Sequence, residues 1–106
     1  MFARRVYLHL KPNSVAEFTQ KLEKEIIPLL RKQKGFQDEI SFVGHGGMEA
    51  FGISLWDKAE NAEAYNRAAY SEVAKILGTV VEGPVQVETF DVSNSTFHKV
   101  AAAATA

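Results

Sequence analysis

Hydrophobic residues recur along the first third of the chain with two different periods. Residues 3–10 alternate between apolar and polar side chains, and this period of two predicts a half-buried strand. Residues 15–30 repeat their apolar positions at helical spacing, which predicts an amphipathic helix ending at Gly35. Pro28 lies inside this segment and has no backbone N–H, so we expect a kink or a break there. The predicted core face of the strand consists of Val6, Leu8 and Leu10.

A hairpin is predicted in the middle of the chain. Residues 36–43 and 49–56 are rich in aromatic and β-branched side chains, and the glycine-rich residues 44–47 between them are typical of a tight turn. The second of these strands alternates cleanly. We expect its large apolar residues to pack on the helices and its small residues, together with Trp56, to occupy the other face. The large residues are Phe51, Ile53 and Leu55, and the small ones are Ala50, Gly52 and Ser54.

The last part of the domain repeats the helix and strand patterns. A second helix is predicted to begin after Asp57 and to close at Gly78, with a joint near Tyr70. A final strand is predicted over residues 85–97, and a change of phase within it indicates a β-bulge or an exposed edge.

The predicted order is therefore strand, helix, strand, strand, helix, strand. With right-handed crossovers this βαββαβ order predicts a four-stranded antiparallel sheet with both helices on one face, the ferredoxin-like arrangement of α+β proteins. One domain is expected over residues 1–100. Residues 101–106 carry no hydrophobic pattern to bury, so a mobile C-terminal tail is expected there.

Composition and charge narrow the classes of function. The net charge of −1, from 12 basic and 13 acidic residues, leaves no basic surface for nucleic acid or anionic lipid. Cysteine is absent, which excludes disulfides and thiolate metal sites. No apolar run approaches the roughly 20 residues of a membrane span, so we expect a cytoplasmic protein without a membrane partner. Residues 34–36 and 50–52 resemble fragments of the aromatic motif of RNA-recognition domains. The first segment lies on the wrong strand for that motif, and no RNA binding is expected.

The sheet face away from the helices is predicted to be the functional surface. Tyr7, His9 and Trp56 are expected there with Phe42, and such a face is too apolar to remain fully solvated. Two copies packed sheet to sheet would cover it. The face is then either a homodimer interface alone or an interface that also encloses a ligand pocket.

Residues 27–36, where a helix ends and Gly-Phe opens a strand, and residues 53–56, followed by an Ala- and Glu-rich helix to Tyr65, carry a family resemblance. In these segments the chain resembles the antibiotic biosynthesis monooxygenase domain of the dimeric α+β barrel superfamily. The resemblance implies a homodimer whose sheets form a barrel. It also implies, for some members, cofactor-independent oxygenation of polycyclic phenols, in which the deprotonated substrate itself reduces oxygen. A haem-degrading branch has functional residues at positions corresponding to Val6, Tyr65 and Ala74 or Lys75, and this chain differs at all of them.

Six residues are candidates for the functional site. His9 is predicted to act as a general base, because imidazole titrates near neutral pH, and Tyr7 to assist in proton transfer. Trp56, Tyr65 and Phe42 are predicted to shape a pocket for a small aromatic ligand, and Arg5 to bind an anionic group on it. Each also has a purely structural interpretation in the core or the dimer interface. The three histidines lack the spacing of a metal site, so no metal is expected, and the family resemblance implies that no cofactor is needed.

The predicted function is a cofactor-independent monooxygenase acting on a small aromatic or quinol substrate. The alternative is a non-catalytic ligand-binding or stress-response dimer with the same fold. The oxygenase predicts that His9→Ala abolishes turnover while leaving the dimer intact.

Overall fold

The computed structural model describes residues 1–100 and contains one four-stranded sheet. The strand order is β2-β3-β1-β4, and every neighbouring pair is antiparallel. The bounds of the strands are β1 Phe2–Leu10, β2 Phe36–Val43, β3 Glu49–Trp56 and β4 Val81–Asp91. The predicted four-stranded antiparallel sheet is confirmed, whereas the tail expected over residues 101–106 lies outside the described residues.

The helices are interrupted where the sequence predicts it. The helical segments are α1 Val15–Lys21, a π-helical stretch Leu22–Ile26, α2 Ile27–Arg31, α3 Ala59–Ala68 and α4 Tyr70–Leu77. Pro28 lies in the first turn of α2, where a missing N–H is tolerated, and the π-helical stretch directly precedes it. Ala69, with φ −132° and ψ −18°, separates α3 from α4, close to the predicted joint at Tyr70. None of the helices in residues 1–100 is long and apolar enough to cross a membrane.

One hydrophobic core lies between the sheet and the helices. β1 contributes Leu8 and Leu10 to this core, as the alternating pattern predicts, and β3 contributes its last residue, Trp56. All helices pack on the same side of the sheet, which confirms the ferredoxin-like α+β arrangement. The helical residues buried in this core are Phe18, Ile26, Leu30, Ala62, Tyr65, Val73 and Leu77.

The prediction of which face of β3 packs on the helices was wrong. Arg4 pairs with Ser54 and Leu8 pairs with Ala50, so the small residues of β3 share the buried face of β1. Trp56 has the same phase and is fully buried on the helix side. A period of two is equally regular in either phase, and a one-residue shift exchanges the faces completely. The large residues Phe51, Ile53 and Leu55 therefore lie on the outer face.

The last strand also differs from its predicted range. β4 begins at Val81, before the Gly83-Pro84 pair, and ends at Asp91 rather than near residue 97. Gly83 has φ +76°, and the pairing with β1 shifts register between Tyr7 and His9, so the irregularity lies early in β4. Residues 92–97 leave the sheet edge and border a groove on its outer face.

Candidate functional site

A mostly apolar cavity lies between the helices and the central strands. Its volume is about 60 Å³, and residues from all five helical segments and from β1, β2 and β3 line it. Most of the lining is aliphatic or aromatic, which is typical of a site for an apolar ligand with a few orienting polar groups. The polar side chains in the lining are Arg4, Glu39, Ser41, Ser54, Tyr65 and Tyr70.

Gly52 makes room for a carboxyl group at the cavity wall. A Cβ atom at this position would lie 2.8 Å from Glu39 Oε2 and 3.4 Å from Ser41 Oγ. Because Gly52 stands on β3 opposite Ser41, its missing side chain lets the Glu39 carboxyl of the edge strand fold over β3. The local sequence thus brings an ionisable group into a largely apolar space.

The environment of Glu39 adjusts its acidity in two opposing ways. Burial raises the pKa of Glu39 above its ordinary value, since desolvation penalises the charged form. The Ser41 hydroxyl, which donates to Glu39 Oε2 at 2.6 Å, lowers the pKa by a smaller amount. The result is a carboxyl group with a raised pKa in a cavity, the kind of group that general acid–base catalysis uses.

Arg4 brings a positive charge to the same cavity. The residue is 5% exposed, and its Nη2 donates to Asn66 Oδ1 at 2.8 Å. Its guanidinium carbon lies 4.2 Å from the ring centroid of Tyr70 and 5.5 Å from that of Tyr65. Two aromatic faces therefore stabilise this buried cation.

Tyr65 is the predicted pocket residue that the structure places in the cavity lining. Burial raises its pKa to about 12, with smaller effects from nearby groups, so its hydroxyl remains protonated at neutral pH. Trp56 lies behind it, with ring centroids 5.1 Å apart, and the indole Nε1 donates to Ser54 Oγ at 2.9 Å. Trp56 does not line the cavity. It orients two residues that do.

The other predicted site residues lie on the opposite face of the sheet. The Tyr7 hydroxyl donates to the Glu49 carboxylate, which raises the pKa of Tyr7, and the exposed His9 contacts the Tyr7 ring edge-on with centroids 5.4 Å apart. Arg5 forms a 2.6 Å ion pair with Glu88. Phe42 stacks on Phe51 at 4.7 Å between centroids. Tyr7 and His9 thus lie close together, but the sheet separates them from the cavity and from Tyr65.

Arg4 and Glu39 were not identified from the sequence as site residues. The available signal for Arg4 was its phase, because alternation along β1 places this charged residue on the same face as Val6 and Leu8. The signal for Glu39 was weaker. A glycine inside a predicted strand, here Gly52, indicates that another group approaches closely. The sequence alone does not show which residue of the facing strand approaches Gly52.

A second and wider cavity lies on the outer face. This groove has a volume of about 570 Å³ between β2, β3 and residues 92–97. The residues Asp38, Ile40, Phe42, Ile53, Leu55 and Phe97 contribute to its walls. Its surface is mostly apolar, and the polar residues of its lining are Asp38, Asn94, Ser95 and Thr96. Within residues 1–100 no three His, Asp or Glu side chains come together in a way that would hold a metal ion.

The fold of this chain is similar to those of several solved structures. No protein-family model matches it, and no curated protein matches it. A monooxygenase of Streptomyces coelicolor, solved in complex with the ligand Nanaomycin D, is similar with a TM-score of 0.76 at 13% identity, covering 92% of each chain. A Bordetella bronchiseptica protein provisionally named an antibiotic biosynthesis monooxygenase has a TM-score of 0.74 at 16% identity, covering 88% of this chain and 97% of that one.

A Nitrosomonas europaea protein of unknown function is also similar. Its TM-score is 0.73 at 17% identity, covering 95% of this chain and 94% of that one. At these identities the likeness establishes the fold alone. The predicted resemblance is confirmed at that level, and the chain has the fold of the antibiotic biosynthesis monooxygenases.

Proposed function

We propose that the protein is a cofactor-independent monooxygenase that acts on a small aromatic or quinol substrate in the helix-side cavity. The observation that carries this proposal is the convergence of Arg4, Glu39 and Tyr65 in a mostly apolar cavity. The structural neighbour solved with Nanaomycin D supports the view that this fold accommodates an organic ligand.

In the proposed reaction, Glu39 accepts a proton from the substrate and leaves an electron-rich anion. That anion reduces molecular oxygen, so the substrate itself supplies the electrons. For a CH₂ group activated by a neighbouring ring, one O₂ converts CH₂ to C=O. For a quinol, one O₂ oxidises the quinol to a quinone in which one ring C–H has become C–OH. In both cases the second oxygen atom leaves as water. The protein contributes a proton acceptor, positioning and exclusion of water.

The size of the cavity limits the substrate. An apolar cavity of about 150 Å³ accommodates benzene, and a single water needs roughly 10–15 Å³. The helix-side cavity, at about 60 Å³, therefore accepts part of an aromatic ring unless a wall residue moves. Ser41 is exposed and Tyr70 is partly exposed, so the cavity opens to solvent beside these residues. We propose substrates of one or two rings that enter from that side.

The outer sheet face supports a homodimer as part of the same proposal. Ile40, Phe42 and Phe90 are each 44–49% exposed on this face, and Phe51, Ile53 and Leu55 lie beside them. A second copy packed face to face would remove this apolar surface from water. The role of this face as a dimer interface does not depend on where Trp56 points.

A non-catalytic ligand-binding or stress-response dimer is the second candidate function. It is favoured by the outer groove, whose volume of about 570 Å³ far exceeds that of the helix-side cavity. In this case the polar groups around Glu39 would serve stability or an unrelated role.

Oxygen consumption distinguishes the two candidates. Purified protein is mixed with one of two two-ring compounds, 1,4-naphthohydroquinone or 2-indanone, under ¹⁸O₂ with a metal chelator present, and oxygen uptake is compared with the uncatalysed rate. We expect protein-dependent uptake with at least one compound, one ¹⁸O atom per product, and a loss of about 10²-fold or more in Glu39→Gln. Oxygen uptake that never exceeds the protein-free rate would reject the oxygenase and favour the non-catalytic dimer.

A further inference from the structure

Arg4 is a buried cation without an anionic partner. Among residues 1–100, no carboxylate lies within 4.0 Å of its guanidinium, although the residue is only 5% exposed. Glu39 lines the same cavity, and Glu63 lines a neighbouring groove beside Arg4, but neither forms an ion pair with it. A buried charge is usually paired, because its desolvation is otherwise uncompensated. Arg4 departs from that rule inside a cavity.

Most hydrogen-bonding capacity of this guanidinium is unused. It carries five N–H donors, and its one side-chain hydrogen bond within residues 1–100 goes to Asn66. No side-chain nitrogen or oxygen in that range is both fully inaccessible and unpartnered, so the remaining donors of Arg4 retain accessible surface. Tyr70 and Tyr65 stabilise the charge through their ring faces and leave the in-plane donors free. The donors are therefore available to a ligand.

We propose that Arg4 binds an ionised oxygen of the ligand, so that the helix-side cavity selects small aromatic oxyanions over their neutral counterparts. This inference rests on the proposed function in placing the ligand at this cavity, but it requires no turnover. A planar guanidinium suits an oxyanion because its hydrogen bonds to charge are short and directional. Phenolates and aromatic carboxylates share this chemistry, and separate probes distinguish them.

Arg5 offers the rival location for the same anion. It follows Arg4 directly on β1, but its side chain points to the outer face and its charge is already paired with Glu88 at 2.6 Å. The two arginines have the same charge and adjacent positions on opposite sides of one sheet. They therefore form a natural pair for a substitution test.

The experiment uses the full chain and 4-nitrophenol, whose phenol and phenolate absorb at different wavelengths and which ionises near neutral pH. Binding to Arg4 should stabilise the phenolate, so the bound probe should ionise about one to two pH units lower than the free probe. The neutral analogue 4-nitroanisole should bind about tenfold to a hundredfold more weakly than the phenolate. Benzoate and benzamide form the corresponding carboxylate pair, and the arm with the larger ratio identifies the anion class.

Three variants locate the site. Arg4→Met should abolish the preference for the anion, whereas Arg5→Met and Arg31→Met, which removes an exposed charge on α2, should retain it. The titratable groups around Arg4 are Glu39, Glu63, Tyr65 and Tyr70. Repeating the titration in Glu39→Gln removes the contribution of the carboxyl that lines the cavity with it.

The proposal is overturned if the wild-type protein binds anion and neutral analogue equally, or if Arg5→Met removes the preference and Arg4→Met does not. Should Arg4→Met fail to fold, the wild type and Arg5→Met decide the matter: a shift of the bound probe that is absent from the wild type or lost in Arg5→Met overturns the proposal. Anion binding at Arg4 without oxygen uptake would keep this inference and reject the oxygenase. Oxygen uptake together with equal binding of the anion and its neutral analogue would overturn this inference and keep the oxygenase.

Discussion

Replacing Ser41 with alanine removes the hydroxyl that stabilises the ionised form of Glu39. The Ser41 Oγ lies 2.6 Å from Glu39 Oε2, a short distance typical of a hydrogen bond to a charged acceptor. Such a bond contributes about 1.5–3 kcal/mol, and 1.36 kcal/mol corresponds to one pKa unit, which gives a range of about 1–2 units. Ser41 is exposed, so water replaces part of the lost bond. We expect the pKa of Glu39 to rise by about one unit in Ser41→Ala.

The assay is a carboxyl-detected NMR titration of protein labelled with ¹³C at glutamate side chains. The Glu39 signal is assigned by its absence from Glu39→Gln. Thr79→Ala is the matched control, because the Thr79 hydroxyl donates to a different carboxylate, that of Glu17, at 3.0 Å. This control should leave the titration of Glu39 unchanged.

Two results would refute the reasoning. If the pKa of Glu39 in Ser41→Ala is equal to or below that in the wild type, the hydroxyl does not stabilise the carboxylate. If Glu39 in the wild type titrates at or below its ordinary value of 4.5, burial does not dominate its environment. The second result would remove Glu39 as the proton acceptor of the proposed reaction, and the first would remove only the role of Ser41.

Three further predictions concern stability and assembly. The pKa of Glu39 is raised in the folded state, so the wild type loses stability as pH rises from the ordinary value of 4.5 through the folded pKa. Glu39→Gln should lack this loss and should be the more stable protein at pH 7 in urea denaturation. An equal pH dependence of stability in the two proteins would contradict the raised pKa. Trp56→Ala should cost about 3–5 kcal/mol in the same assay, because this side chain is fully buried against Tyr65, and a cost below about 1 kcal/mol would contradict its place in the core. Phe42→Lys places a charge on the exposed apolar face and should convert the proposed dimer to a folded monomer in analytical ultracentrifugation. Ala64→Lys, at an exposed position of α3, should leave the dimer intact. A wild-type protein that is monomeric at micromolar concentration would reject the dimer.

The order of strands and helices was predictable because local signals agree with one another. The glycine-rich turn at residues 44–47, the interruption at Pro28 and the joint near Tyr70 each occur close to their predicted positions. Such features depend on backbone properties of individual residues, which hold in any tertiary context. The topology then follows from few alternatives, since the connections are short and their handedness is restricted.

The orientation of β3 was not predictable because both of its faces are suited to burial. One face carries Phe51 and Leu55 and the other ends in Trp56, so hydrophobicity alone does not decide which of them meets the helices. The small side chains face inward because the Glu39 carboxyl and the cavity occupy that space. Only the pairing of β3 with β1 reveals this arrangement. The candidate site changed with it, from the outer face to the helix side.

The location of ligand binding tests the central claim most directly. The protein is labelled at the methyl groups of Ile, Leu and Val and titrated with 1,4-naphthohydroquinone under anaerobic conditions, and methyl chemical shifts are recorded. The proposed site predicts the largest changes at Val73 and Leu77, which line the helix-side cavity. Changes confined to Ile40, Ile53 and Leu55, which line the outer groove, would contradict it and move the binding site to the face that we assign to dimerisation.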